Sequence, residues 1–142
     1  LAKRGLKIED FHACGKYVGG HPSEDKEVEP LAFRNTDTEF LFYRRENYAS
    51  VPVWRFSILK ESIEDIAIED ATTLESKVTL GRVLLVGIFA FAWKKKKKNE
   101  LAFVRIQWKE GKFKHNTLIC FEGQNAMTNA NSFRNLLIKN CQ

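Results

Sequence analysis

The chain has 142 residues and carries 23 Lys and Arg against 18 Asp and Glu, a formal net charge of +5. The whole excess lies in the lysine run 94–98, which argues against a histone-like or ribosomal protein, whose basic residues are spread along the chain. Apolar residues make up 44% and aromatic residues 12% of the sequence, which is enough for a packed core and argues against disorder.

The length fits a single domain over 1–142, with a core of about 12–140 and an N-terminal extension over 1–11. The first residue is Leu1, so we expect an excised or processed piece, and no signal peptide is visible. The longest apolar run, 83–93, is shorter than the roughly 20 residues of a membrane-spanning helix, so we expect no transmembrane segment. Cys14, Cys120 and Cys141 are widely spaced, which favours a reducing cytoplasm over a disulfide framework.

Alternating apolar and polar residues predict a series of strands in the first half of the chain. In chain order they are 12–18, 31–35, 40–45, 53–59 and 66–68, with a turn over 62–65. In the fourth strand we expect Trp54, Phe56 and Ile58 on the buried face, opposite Arg55 and Ser57.

The second half begins with an apolar strand and ends with a helix. Residues 82–93 are apolar on both faces, which indicates a strand that is buried on both sides or bends at Gly87. Alternation then predicts strands over 101–108 and 113–121, joined by a hairpin loop at 110–111. A helical spacing follows, with Asn125 as its N-cap and one apolar face made by Ala126, Ala130, Phe133, Leu137 and Cys141.

About seven strands followed by one amphipathic helix indicate a mainly β (α+β) fold. Such an order predicts a strongly bent antiparallel barrel or sandwich, with the C-terminal helix covering an open end. No internal repeat or second domain is evident.

Four local motifs carry a resemblance to a known superfold. They are 17–21 (Tyr-Val-Gly-Gly-His), 56–58 leading to 63–66, the apolar run 82–90, and Phe121 passing into the helix through Phe133. In this order they resemble the pleckstrin-homology-like (PH-like) superfold, and above all the short bacterial PH-like domains. The resemblance covers 12–140. It implies a seven-stranded barrel-like sandwich closed by the helix and used as a binding or assembly platform without catalysis.

One loop departs from the lipid-binding members of that superfold, which hold inositol phosphates with basic residues around the first hairpin. The corresponding loop here carries Glu24, Asp25, Glu27 and Glu29 against Lys26. Because acidic side chains repel a phosphorylated headgroup, we do not expect phosphoinositide recognition at this loop.

The lysine run supplies the candidate ligand-binding residues, which are Lys94, Lys95, Lys96, Lys97 and Lys98. The run lies between two predicted strands, so it is expected at an exposed hairpin tip, where five mutually repelling ammonium groups stay hydrated. One interpretation is an electrostatic contact with anionic lipid or nucleic acid. The other is a solvated turn that keeps an apolar hairpin soluble.

For the lipid interpretation, we expect replacement of all five lysines by Ser to abolish binding to anionic vesicles. A lysine near an anionic leaflet contributes about 1 kcal/mol, so the run supplies at most roughly 5 kcal/mol, enough for reversible, peripheral attachment at the inner face of a membrane. Co-sedimentation with anionic and neutral vesicles measures this, and the binding should weaken as salt rises. Unchanged binding by the variant would contradict the interpretation.

Other chemistry has weaker support in the sequence. Nucleic-acid binding would require aromatic residues for base stacking, and only Trp93 and Trp108 are candidates near the lysines. His12, Cys14 and His21 match no established zinc spacing, so we expect no metal and no cofactor. The sequence contains no G-x-S-x-G, Ser-x-x-Lys or phosphate-cradling glycine loop, so we do not expect an enzyme.

Three functional hypotheses result. The first is a non-catalytic, cytoplasmic PH-like module that mediates protein–protein interaction or self-association through exposed sheet edges. The second is peripheral binding to an anionic membrane through the lysine run, and the third is a nucleic-acid-binding domain. Trp54, Phe56 and Trp108 could form an exposed recognition patch, but aromatic residues at strand spacing more often belong to the core.

Overall fold

The computed structural model describes residues 15–44, 54–74 and 100–142. In these ranges the chain forms seven strands and then a helix, which confirms the predicted mainly β fold with a C-terminal helix. The elements are β1 (Lys16–Gly19), β2 (Leu31–Asn35), β3 (Glu39–Arg44), β4 (Trp54–Leu59), a 3-10 turn (Lys60–Ser62), β5 (Ile63–Asp70), β6 (Leu101–Glu110), β7 (Phe113–Glu122) and α1 (Ala126–Cys141). The predicted strand 82–93 and the lysine run lie outside the described residues, as do His12 and Cys14.

The described strands form two antiparallel sheets rather than one closed barrel. One sheet has the order β1-β7-β6-β5 and the other has the order β2-β3-β4. The sheets meet near β1, where Tyr17 and Val28 exchange two backbone hydrogen bonds and the Leu31 N–H donates to the Gly15 carbonyl at 3.3 Å. The predicted hairpin at 110–111 is present, since Glu110 pairs with Phe113 across a two-residue turn.

The main core fills the space between the two sheets and α1. Phe33 connects these layers, because its ring contacts Phe42 of the same sheet at 6.0 Å and Phe133 of the helix at 5.5 Å. Phe42 also stacks on Phe56 at 4.8 Å, across the β3–β4 pair. The helix buries Ala126, Ala130, Phe133 and Leu137, which confirms its predicted apolar face.

The four-stranded sheet is buried on its second face as well. Val18, Ala71, Leu74, Leu101, Phe103, Leu118 and Cys120 form this second apolar cluster. Strand β6 is therefore buried on both faces from Leu101 to Val104, and polar side chains alternate with buried ones only from Arg105 onward. Alternation in the sequence indicated one buried face for this strand, and the short Leu101-Ala102-Phe103-Val104 run marks where that simple pattern ends.

Two local predictions differ from the structure. The turn expected over 62–65 ends at Ser62, and β5 begins at Ile63 with a register shift between Ile63 and Asp65. Asn125 does occupy the N-cap of α1, but its side chain makes no capping hydrogen bond. The helix therefore depends on packing of its apolar face rather than on its cap, as expected for an Asn-rich helix.

Candidate functional site

A cleft of about 760 Å³ runs along strand β4 and faces the turn between β6 and β7. We call it the β4 cleft. Its lining residues are His21, Ser23, Leu41, Trp54, Arg55, Phe56, Ser57, Leu59, Glu61, Ser62, Trp108, Lys109, Glu110 and Gly111. Strand β4 is the last strand of its sheet among the described strands. A terminal strand directs backbone groups away from its own sheet, here toward the cleft.

A β-bulge presents Trp54 to this cleft. Phe42 pairs with Phe56, but the next residue of β3, Tyr43, pairs with Trp54, so Arg55 is an extra residue on β4. The bulge moves Trp54 to the face opposite Phe56, where its ring meets Tyr43 edge-on at 5.0 Å. The prediction that Trp54 shares the buried face of Phe56 and Ile58 is therefore wrong: Trp54 is 40% exposed, while Phe56 and Ile58 are buried.

His21 forms part of the floor of the cleft, and both of its ring nitrogens are hydrogen-bonded to backbone groups. The Ser23 N–H donates to His21 Nδ1 at 3.0 Å. Nδ1 must therefore be the unprotonated nitrogen, and the proton on Nε2 donates to the Ser57 carbonyl at 2.8 Å. This second bond occupies one outward-facing acceptor of strand β4.

The residues around His21 form a loop that is tied to three strands. We call residues 20–24 the His21 loop. The Tyr17 hydroxyl accepts from the His21 N–H at 3.0 Å and donates to the Glu24 carbonyl at 2.6 Å. Burial raises the pKa of Tyr17 to about 12, so the hydroxyl stays neutral and keeps both bonds. Thr117 of β7 donates to the Gly20 carbonyl at 3.3 Å.

An ion pair fastens the far end of the loop to β4. Arg55 Nε donates to Glu24 Oε1 at 2.8 Å. Burial alone would raise the pKa of Glu24, but hydrogen bonds from Arg55 and from the Lys26 N–H outweigh it and lower that pKa. Glu27 likewise pairs with Lys16, at 3.5 Å. Two carboxylates of the acidic first loop thus have local cationic partners.

Aromatic rings continue from the cleft floor into the β6–β7 hairpin. His21 lies between Phe56 and Trp108, with ring centroids 4.7 Å and 4.9 Å away. Trp108 also contacts His115 at 4.6 Å and donates from Nε1 to the Thr117 hydroxyl at 2.9 Å. Since Trp108 is buried, it does not present the stacking face that a nucleic-acid interface would need.

His21 could serve as a general base only if one ring nitrogen could reach a reacting group, and both are engaged by backbone groups. In the described ranges, no three His, Cys, Asp or Glu side chains are grouped so that they could hold a metal ion. Burial also raises the pKa of Cys120 to about 12, so this thiol stays protonated and unreactive.

Sequence reasoning placed its candidate site at the lysine run, which the described residues do not include. It placed His21 in a turn, in the 17–21 motif of the PH-like resemblance, and in a group of residues that matches no established zinc spacing. The cleft was missed because His21 and Ser57, which a hydrogen bond joins, are 36 positions apart in sequence, and no local pattern connects them. The bulge at Arg55, which exposes Trp54, left no pattern in the sequence either.

Among the described residues, no helix combines the length and the apolar character needed to cross a bilayer. No protein-family model, curated protein or solved structure matches this chain.

Proposed function

We propose that this chain is a non-catalytic, cytoplasmic PH-like module that mediates protein–protein interaction or self-association, and that the β4 cleft receives the partner. The PH-like assignment is supported by the order of the elements, in which two antiparallel sheets are followed by a C-terminal helix. The backbone hydrogen bonds that join Gly15 with Leu31 and Tyr17 with Val28 also support it, because they connect the two sheets at one corner as a bent barrel-like sandwich requires.

The observation that carries the proposal is the exposure of two large apolar residues at the ends of strand β4. Trp54 is 40% exposed and Leu59 is 48% exposed, and both line the cleft. Solvent-exposed Trp is a common anchor of protein interfaces, because a partner can bury a large area at a small entropic cost. An extended peptide would lie along the cleft and contact both side chains without pairing to the Ser57 carbonyl, which His21 already holds.

The charges of the cleft favour a peptide over a strongly charged ligand. Arg55 and Lys109 contribute positive charge, and Glu61 and Glu110 contribute negative charge. An anion or a cation would meet a like charge on one side or the other. We therefore expect an extended peptide with apolar side chains at the positions that meet Trp54 and Leu59, and with little net charge between them.

Replacing Trp54 by Ala should weaken peptide binding by about tenfold or more, the loss typical of an interface anchor. Peptides would be selected from a random library on the immobilised domain, and the affinity of a selected peptide would then be measured by calorimetry. Met127→Ala is a matched control, because Met127 is 44% exposed but lies on α1, outside the cleft. Equal affinity of Trp54→Ala and the unmodified chain, or an equal loss with Met127→Ala, would contradict the proposal.

Self-association is the same proposal with a second copy as the partner. Sedimentation equilibrium over a range of concentrations would show whether the chain dimerises, and Trp54→Ala should then shift it to monomer. If the chain is monomeric at all concentrations and no peptide is selected, the proposed function is overturned.

One described feature favours the membrane alternative as a second candidate. At the tip of the β6–β7 hairpin, Lys109 lies opposite Lys114 in register, beside Lys112 and the exposed Phe113. Like charges directly opposite each other destabilise a strand pair, so an anionic surface would relieve a cost that this hairpin carries. In the vesicle assay, the change Lys112→Ser/Lys114→Ser, made in the chain that keeps its lysine run, should reduce binding, and unchanged binding would mean that the hairpin takes no part in it.

A further inference from the structure

We propose that His21 is a proton-sensitive element of the β4 cleft: its neutral ring holds the His21 loop as one wall of the cleft, and protonation releases that wall. This inference rests on the proposed function for its effect on a ligand, since it describes regulation of the same cleft. The release of the loop itself can be measured on the ligand-free chain.

The geometry around the ring permits only one protonation state. His21 Nδ1 accepts the Ser23 N–H, and Nε2 donates to the Ser57 carbonyl. A second proton would have to sit on Nδ1, which lies 3.0 Å from the Ser23 nitrogen. That proton would point directly at the Ser23 N–H. Two donors cannot share one hydrogen bond, so the protonated ring loses its link to Ser23 and leaves a backbone N–H without its acceptor.

The position of the ring gives this loss a consequence for the cleft. His21 is only 8% exposed and fills the space between Phe56 and Trp108. A charged imidazole can regain water only by leaving that space. Its departure would carry Ser23, another lining residue, away from the cleft and would uncover the face of Trp108.

The charged and titratable groups that face His21 come from each element packed against it. They are Tyr17 of β1, Glu24 of its own loop, Arg55 of β4, Glu110 of β6 and His115 of β7. Burial is the largest influence and lowers the pKa of His21 from its ordinary value of 6.5. The hydrogen bond to the Ser57 carbonyl and the carboxylates of Glu110 and Glu24 favour the charged ring but do not outweigh burial, and His115 opposes the charge. Glu24 is itself paired with Arg55, which limits how far it can stabilise the charge.

The sign of the pH dependence follows from this direction. Because folding favours the neutral ring, the unfolded chain binds more protons than the folded chain just below pH 6.5. The stability that His21 contributes is therefore complete above pH 6.5 and is lost as the pH falls from there through the lowered pKa of the folded chain. The same protons should release the loop.

The test is a titration of the ligand-free chain from about pH 7.5 to about pH 4.5, followed by nuclear magnetic resonance. Imidazole nitrogen shifts should show His21 with the proton on Nε2 at the upper pH. As His21 titrates, the Ser23 amide should lose its protection against hydrogen exchange and the Trp108 indole signal should move, while amides of β6 and β7 stay protected. His21→Gln keeps a donor for Ser57 and does not titrate, so its Ser23 amide should not respond to pH.

The second arm measures the affinity of the selected peptide over the same range. The affinity should fall by up to about tenfold per pH unit as the pH drops below the pKa of His21, because the peptide binds only the chain whose His21 has lost its extra proton. His21→Gln should abolish this dependence, and His115→Gln should retain it, which separates His21 from the neighbouring histidine.

The outcomes separate the two proposals. If the Ser23 amide stays protected while His21 titrates, or if His21→Gln responds like the unmodified chain, the inference is overturned. If the loop is released but peptide affinity does not depend on pH, regulation of the cleft is overturned. If no peptide binds at the upper pH, the proposed function fails, and the Ser23 amide still decides whether protonation releases the loop.

Discussion

Replacing Gly20 by Ala should destabilise the domain by more than about 4 kcal/mol, a large part of the 5–15 kcal/mol that stabilises a typical domain. Gly20 has a φ of +97°, and a Cβ placed there would lie 1.7 Å from the Asn116 carbonyl oxygen. That oxygen belongs to the backbone of β7, so it can move only if the strand moves. Chemical denaturation followed by circular dichroism would measure the loss.

Gly123→Ala is the matched control for this substitution. Gly123 has nearly the same φ, +100°, but a Cβ there meets nothing within 4 Å. It should cost only the backbone strain, about 1–3 kcal/mol. The difference between the two variants therefore isolates the close approach of the His21 loop to β7. Equal losses would show that this approach can relax and that the positive φ alone accounts for Gly at position 20.

The parts of the fold that follow from local pattern could be predicted from the sequence. The predicted apolar face of α1 is confirmed, because Ala126, Phe133 and Leu137 recur at helical spacing and a surface helix buries one such stripe. The predicted β6–β7 hairpin is confirmed, because apolar and polar residues alternate on both sides of Gly111 and so define the two strands and their turn.

Features that depend on pairing between distant segments could not be predicted. Trp54 reaches solvent because β4 carries one more residue than β3 at the bulge, and that count depends on register rather than on either strand's composition. His21 looked like a turn residue because its partners, Ser57 and Trp108, are brought to it by the meeting of the two sheets. Trp54, Phe56 and Trp108, which their strand spacing allows as a recognition patch, do line the cleft, but of these three only Trp54 is exposed, and no local motif joins them to His21.

The largest electrostatic effect is expected at Arg105, whose replacement by Met should cost about 3–5 kcal/mol. Arg105 Nε donates to Glu69 Oε2 at 2.8 Å, with the two side chains 11% and 5% exposed. The same guanidinium also donates from Nη1 to Gln107 at 3.2 Å and to Asn116 at 3.1 Å. Removing it takes away a positive charge that pairs with the buried Glu69 carboxylate, and that carboxylate cannot recover its hydration.

Two further variants show whether charge or packing causes this loss. Arg105→Met/Glu69→Leu removes both charges, so it should be more stable than Arg105→Met alone by about 1 kcal/mol or more. Lys114→Met makes the same chemical change in the neighbouring strand, but Lys114 is 61% exposed and lies 3.9 Å from Glu64, so it should alter stability by less than about 0.5 kcal/mol. Thermal and denaturant unfolding of all three would be compared. The second substitution removes the charge of Glu69 but does not restore the contacts of the Arg105 side chain. A double variant as unstable as Arg105→Met alone would therefore mean that the lost contacts, rather than the charge on Glu69, cause the destabilisation.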